Sequence, residues 1–466
     1  MTKKGDFEQL IHPGLQRRIV APLAVVLTDA VVFGNFMLSS ETRGRMRDLD
    51  GLLPAHGPQR DRLDAIIGPH PLSQFVIGRI EETFRPLRYE EGTRKLTAYE
   101  GYEDPSAAAI RLAAEFSSLP QHYIYSIPLT GIFRDAIEDN HKLPFSEEVG
   151  IYGGGELLKS WLPLSSGNDK IDDRIFGRGL LQDGRREDWC GAFLLVKEQG
   201  FSAEHTENEG DQRVIETIKS FFGLYMAHNL IERRYTPAPR PGNVRVSVHR
   251  LENGEYKLYR QFPLDDATSA LIHELHFDDQ KGQFENPRMK RALVVELGAH
   301  VAKAFARGLE AEKIKLAGRW LFDSYAGGNQ LMSFLQAMVV LEIILGDKAA
   351  SDKIGLGELL RNRCAYLLGK SAQERADIMA EFGRIYEVRS AIVHRGKSLI
   401  RATERPLFFK LRSFAQQVIR AELLLLPSSP HYVSSAVAEL EEIARLAHHS
   451  TVEAGLRAAD TITTRR

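Results

Sequence analysis

Cysteine is nearly absent from this chain of 466 residues. Its two cysteines, Cys190 and Cys364, lie far apart and form no CxxC pair, so the sequence carries no disulfide framework. A chain that does without disulfides is typical of a reducing compartment, and we therefore expect a cytoplasmic protein.

The chain also lacks an excess of charge of either sign. The 61 Lys and Arg residues are balanced by 62 Asp and Glu residues, which gives a formal net charge of −1. This balance excludes a surface built as a whole to hold nucleic acid, although a local basic pocket is still allowed. With 43% hydrophobic and 26% charged residues, the composition is that of a soluble globular protein.

A long uncharged hydrophobic run is missing as well. The segment MTKKGDFEQLIHPGLQRR at the start has no apolar core, so it predicts no signal peptide. The nearest approach to a membrane span is the run from Ile19 to Leu38, which contains Pro22, Asp29 and Asn35. Because a charge in mid-membrane is costly, we interpret this run as a buried helix and expect no membrane association.

Hydrophobic periodicity divides the chain into two parts. Alternating segments rich in β-formers predict strands at 123–129, 147–152 and 192–197, and a hairpin that turns at Asn253-Gly254. From residue 286 onwards the spacing is helical. We therefore predict an α+β fold class, in which a mixed α/β N-terminal region is followed by an all-α helical bundle.

The predicted organisation has four parts, with a proline-rich linker at residues 232–243. They are a mixed α/β region of unknown role at 1–232, a β-hairpin plus connecting helix at 244–315, a helical bundle at 316–430 and a helical tail at 431–466.

Residues 374–396 predict the amphipathic helix on which the functional interpretation depends. Its apolar stripe includes one cation, Arg389, among Ile378, Phe382, Ile385 and Ile392. A guanidinium on a core-facing stripe needs an anion, supplied by the protein or by a ligand. His394 follows five residues later, and Gly396 is a helix stop. The two side chains can converge only if the helix ends or bends near His394.

An upstream helix, Leu331 to Leu345, is apolar nearly all round and carries a single acid, Glu342. A lone carboxylate on such a helix needs a cationic partner. In the functional interpretation Glu342 holds Arg389 in place. In the structural alternative it forms an ion pair with Arg361 or Arg363.

These residues resemble a known family. Leu341-Glu342 and the pattern Tyr386-x-x-Arg389-Ser390-x-x-x-His394-x-Gly396 are similar to the Apea-like HEPN domain family, over about residues 316–426. The resemblance implies a four-helix bundle of a kind that often acts as a metal-independent ribonuclease. It also implies a homodimer in which two motifs meet, and a role in bacterial antiviral defence or stress response.

The residue types suit RNA cleavage by attack of the 2′-hydroxyl. His394 can transfer protons, Arg389 can clamp the phosphate, and Ser390 can orient either of them. Tyr386 is a supporting residue in the same pattern. Each chain has one such histidine, so acid and base are expected from two chains, without metal or other cofactor. The expected products carry a 2′,3′-cyclic phosphate and a 5′-hydroxyl.

Nearby cations complete the predicted RNA site. Arg384, Arg395 and Lys397 form a local electrostatic path for RNA, or else a solvated helix end. The alternative function is a non-catalytic HEPN module for dimerisation or for binding nucleotide or RNA. The N-terminal region would then sense an unknown trigger or a regulatory protein. A metal site at His273 and His276 is disfavoured, because the spacing is not HExxH.

Overall fold

The three-dimensional structure is a computed structural model. It describes residues 13–33, 38–84, 92–134, 136–162, 191–203, 209–234, 242–278, 287–429 and 432.

Five helices and a short strand pair form an N-terminal helical unit with its own hydrophobic core. The elements are α1 (Pro13–Asp29), β1 (Val31–Phe33), α2 (Ser40–Asp48), α3 (Pro58–Ile67), α4 (Pro71–Phe84), β2 (Thr93–Lys95) and α5 (Pro105–Ser117). Side-chain caps define two of the helix starts: Ser39 accepts from the backbone of α2, and Asp104 accepts from that of α5. The prediction of one buried helix over Ile19 to Leu38 was wrong. The helix ends at Asp29, and the β-branched residues that follow pair with β2.

A six-stranded antiparallel sheet forms the centre of the molecule. Its strands are β3 (Gln121–Pro128), β4 (Lys142–Pro144), β5 (Val149–Gly153), β6 (Ala192–Gly200), β8 (Arg245–Glu252) and β9 (Glu255–Pro263), and their order is β4-β5-β6-β3-β8-β9. The hairpin turn at Asn253-Gly254 has positive φ at both residues, as predicted. A separate pair joins β7 (Ile231–Arg233) to β10 (Leu275–Phe277).

This sheet crosses the predicted boundary at 232–244. Strand β8 pairs with β3, so the hairpin belongs to the same sheet as the strands before residue 232. The proline-rich segment separates elements along the chain, whereas strand pairing is decided by partners far away in sequence. Most of that segment, residues 235–241, lies outside the described residues.

Helices account for the rest of the chain that the structure describes. Three of them pack near the sheet: α6 (Glu156–Trp161), α7 (Glu209–Met226) and α8 (Asp266–Glu274). The C-terminal helices are α9 (Pro287–Lys303), α10 (Leu309–Ala326), α11 (Gln330–Leu345), α12 (Lys348–Ile354), α13 (Leu356–Leu368), α14 (Ala372–Arg395) and α15 (Arg405–Leu425). Helices α11, α13, α14 and α15 all contact one another, which confirms the predicted helical C-terminal region. The predicted tail at 431–466 lies outside the described residues except for Tyr432.

The C-terminal bundle and the sheet share one continuous hydrophobic core. One hydrophobic cluster runs from strand β3 through α7 and α10 to α15. Helices α7 and α10 cross at two glycines, because a Cβ on Gly318 would lie 2.8 Å from Cγ of Leu224, and a Cβ on Gly223 would collide with the Gly318 carbonyl oxygen. Gln416 of α15 donates to the Met226 carbonyl oxygen at the end of α7 (2.9 Å). The bundle and the sheet therefore form one packed unit.

Among the described helices, no single one is long and apolar enough to cross a membrane. Helices α11 and α12 reach that length and composition only together, and they meet at a bend of 105°.

Candidate functional site

Helix α14 carries the predicted site, and its ends are fixed by local chemistry. Ser371 and Glu374 form a reciprocal capping box at its start. Gly396, with φ of 63°, ends it in the left-handed conformation. Of the predicted apolar stripe, Phe382 and Ile385 are fully buried, and Val388 joins them.

Arg389 lies at the edge of this stripe and finds its anion on α11. Its Nη2 donates to Oε1 of Glu342 over 3.3 Å, and the two side chains are 19% and 26% exposed. The two arginines considered as alternative partners of Glu342 pair with other acids. Arg361 pairs with Glu358, and Arg363 lies 3.7 Å from Asp347. The ion pair that the functional interpretation required is therefore the one formed.

The guanidinium of Arg389 is held on a second side by an aromatic ring. Its central carbon lies 5.7 Å from the centroid of the Tyr386 ring, within the range of a cation–π interaction. Arginine has five N–H donors, and within the described residues Arg389 uses one of them, toward Glu342. Arg389 is thus positioned by two neighbours and retains donors for a ligand.

His394 does not join Arg389 within one chain. The helix continues through Arg395, so five residues of regular helix turn His394 about 140° away from Arg389. The His394 side chain is exposed. The condition for convergence, a helix that ends or bends near His394, is therefore not met early enough, because Gly396 adopts its left-handed conformation only after His394 and Arg395 have joined the helix.

The remaining predicted site residues fall into two groups. Ser390 and Tyr386 are half-buried, and Arg384 and Arg395 are exposed on the helix surface. Lys397 differs from the two arginines, because its Nζ lies 2.8 Å from Glu404 and both side chains are mostly buried. Lys397 therefore stabilises the loop after α14, and its role as an RNA-binding cation stays a prediction.

The described residues include neither a cluster of metal-ligand side chains nor a reactive thiol. No group of three or more His, Cys, Asp or Glu side chains is placed there to hold a metal ion. His273 lies 3.2 Å from the Gly242 carbonyl oxygen. Cys364 is buried in α13, and burial raises the pKa of its thiol to about 12, so little thiolate forms at neutral pH.

Sequence reasoning missed a cluster of charged residues between the N-terminal helical unit and the sheet. Glu82 of α4 lies between Arg79 of the same helix (2.6 Å) and Arg250 of β8 (3.0 Å), and the Tyr259 hydroxyl donates to it. Burial alone would raise the pKa of Glu82, but the two arginines hold it below its ordinary value. The sequence signal that could have revealed this cluster is the charge of Arg79 and Glu82 within the largely apolar α4 sequence.

Comparisons of the chain with protein-family models, with curated proteins and with solved structures found no match. The expected HEPN identity of the bundle therefore stays a prediction from the sequence pattern.

Proposed function

We propose that this protein is a metal-independent endoribonuclease of the HEPN type that works as a homodimer. The observation that carries the proposal is the placement of Arg389. It is a largely buried cation, held by Glu342 and Tyr386, with N–H donors left for a phosphate. It lies on the helix whose last turn presents His394.

The division of roles follows from the geometry of one chain. Arg389 can donate two parallel hydrogen bonds to phosphate oxygens and stabilise the charge of the phosphorane. His394 is exposed and faces elsewhere, so it is available to a second chain. In the dimer, one His394 removes the 2′-hydroxyl proton and the other protonates the leaving 5′-oxygen. Ser390 orients the phosphate, and Arg384 and Arg395 attract the RNA backbone.

The regulatory part of the proposal concerns the first 315 residues. The N-terminal helical unit and the sheet would sense a trigger or a regulatory protein and restrain the nuclease. The resemblance places such an enzyme in bacterial antiviral defence or stress response, acting on RNA in the cytoplasm.

The test is cleavage of mixed RNA by the purified full chain in EDTA. We expect wild type to produce 2′,3′-cyclic phosphate ends, and His394→Ala and Arg389→Ala to produce none. Arg389→Lys keeps the charge but loses the two-pronged geometry, so it should restore little activity. His122→Ala, an exposed histidine on β3, is the matched control and should cleave as wild type does.

Two outcomes would contradict the proposal. One is intact RNA when wild type is folded, dimeric and supplied with its trigger. The other is cleavage that survives both His394→Ala and Arg389→Ala, which would place the active site elsewhere.

A second function is favoured by the separation of His394 from Arg389 around the helix. One chain presents a phosphate clamp without a proton-transfer partner, as a non-catalytic module for binding nucleotide or RNA would. Under that function, RNA is retained on the protein without cleavage, and Arg389→Ala abolishes retention while His394→Ala does not.

A further inference from the structure

Gly357, near the start of α13, approaches the Tyr386 ring too closely for any side chain. A Cβ at this position would lie 2.7 Å from Cε1, 2.8 Å from Cζ and 3.0 Å from Cδ1 of that ring. The ring atoms cannot shift one at a time, because the ring moves as one rigid plate, so a Cβ here would displace the whole ring. The ring therefore packs directly against the α13 backbone.

The same ring lies beside the guanidinium of Arg389. Tyr386 and Arg389 are three residues apart on α14, a spacing that places both on one face of the helix. The guanidinium lies 5.7 Å from the ring centroid, and its Nη2 lies 3.3 Å from Oε1 of Glu342 on α11. Two helices thus fix the position of Arg389. Helix α13 acts through the Tyr386 ring, and α11 acts through Glu342.

The start of α13, which packs against the Tyr386 ring, directly follows another helix. Helix α13 follows α12 through Gly355, an exposed residue with φ of 82°. That conformation favours glycine and makes a sharp junction between the two helices. Gly357 is the second residue after this junction, so its backbone position depends on the angle at which α13 leaves α12.

We infer that Gly357 is a positioning residue for Arg389, acting through the Tyr386 ring. The missing side chain lets the ring pack against the α13 backbone, and the ring holds the guanidinium where it can meet a phosphate. A Cβ at residue 357 displaces the ring and releases Arg389. The kinetic consequence rests on the proposed ribonuclease function, whereas the structural consequence does not.

The first experiment needs no RNA. Phenylglyoxal modifies accessible arginines, and peptide mass spectrometry compares Arg389 with Arg395, an exposed arginine on the same helix. Gly357→Ala should raise the modification rate of Arg389 several-fold relative to Arg395, because the guanidinium loses the cover of the ring. Gly383→Ala is the matched control: it lies on α14, and a Cβ there meets nothing within 4 Å, so the ratio should not change.

A second variant separates positioning from simple packing. Tyr386→Ala removes the ring and should raise Arg389 modification by itself. Adding Gly357→Ala to that background should cause no further rise, because the ring through which residue 357 acts is gone. Additive effects, or an unchanged ratio in Gly357→Ala, would overturn the inference. If Gly357→Ala does not fold, the double variant should fold, and its failure to do so would also overturn it.

The kinetic arm uses RNA cleavage. Displacement of a phosphate clamp by about 1 Å can reduce rates on the order of a hundredfold, so Gly357→Ala should lower kcat/KM strongly while Gly383→Ala does not. If wild type cleaves no RNA, the proposed function fails, and the phenylglyoxal comparison still decides the role of Gly357.

Discussion

At the level of single residues, the candidate site depends on neighbours that lie on other helices. Arg389 comes from α14, Glu342 from α11, and Gly357, which supports the Tyr386 ring, from α13. A guanidinium left without its carboxylate keeps its charge but loses a charge-assisted hydrogen bond. Substitution of Glu342 therefore acts on the site without touching RNA.

We expect Glu342→Gln to lower kcat/KM for RNA by about tenfold, the equivalent of ~1.4 kcal/mol. The amide keeps the shape of the side chain and weakens its hold on Arg389. Steady-state kinetics of RNA cleavage measure the effect. Glu358→Gln is the control, because it weakens a pair with Arg361. Equal rates in wild type and Glu342→Gln would contradict the positioning role.

His228 is a second residue whose chemistry is set by its surroundings. It follows α7, and its ring stacks on His300 at a centroid distance of 5.2 Å. Its Nε2 is buried and has no hydrogen-bond partner among the residues that the structure describes. Burial, His300 and Arg420 lower the pKa of His228 from 6.5 to about 3. Between about pH 3 and pH 6.5, His228 is therefore protonated in the unfolded chain and neutral in the folded protein.

This difference predicts acid sensitivity. The His228 contribution to stability is complete above about pH 6.5 and is lost as the pH falls toward about 3, by ~1.4 kcal/mol of unfolding free energy per pH unit. His228→Asn should make the free energy of unfolding less steep across that window, as measured by denaturant titration at several pH values. Parallel pH profiles for wild type and His228→Asn would show that this imidazole does not contribute.

At the level of elements, the crossing of α7 and α10 leaves no room for a side chain at two glycines. Gly223→Ala and Gly318→Ala should each lower the unfolding free energy by about 1–3 kcal/mol, because either Cβ meets backbone or a packed leucine. Gly44→Ala in α2 is the control, since a Cβ there meets nothing within 4 Å. It should raise stability by up to about 1 kcal/mol. Similar values for all three would mean that the helices separate to make room.

The helices and strands themselves were largely predictable. Three predicted strands, the hairpin turn and the capping box of α14 agree with the structure, because period, turn residues and caps are local properties. The pairing of β8 with β3 was not predictable, since it joins segments more than a hundred residues apart. Helix α12 was also missed: it is seven residues long and has no buried face to create a pattern.

The candidate site was predictable only in part. Arg389 on an apolar stripe required an anion, and Glu342 was the single acid on the apolar helix from Leu331 to Leu345. The direction of His394 was not, because it depended on whether the helix stopped one residue earlier or later. Gly357 could not be found at all, since its role appears only when the Tyr386 ring is placed against it.

At the level of the whole molecule, the two largest hydrophobic cores meet at a charged contact. The N-terminal helical unit has one core, and the sheet and bundle share the other. Between them Glu82 joins Arg79 and Arg250. Polar contacts of this kind are common between parts of a chain that move relative to one another.

Glu82→Gln should lower the unfolding free energy by about 2 kcal/mol, because Arg79 and Arg250 lose their shared anion and keep only Glu115 and Glu252. Glu156→Gln, which loosens an exposed pair with Lys159, should change it by less than about 1 kcal/mol. Denaturant titration measures both. Equal effects would mean that water already neutralises the Glu82 cluster.

The claim that two chains complete one active site is tested most directly with mixed dimers. Wild type and His394→Ala are reassociated in varying proportions at constant total protein, and cleavage of RNA is measured in EDTA. If each site needs His394 from both chains, activity falls as the square of the wild-type fraction. A linear fall would mean that one chain suffices for proton transfer, and it would contradict the composite site.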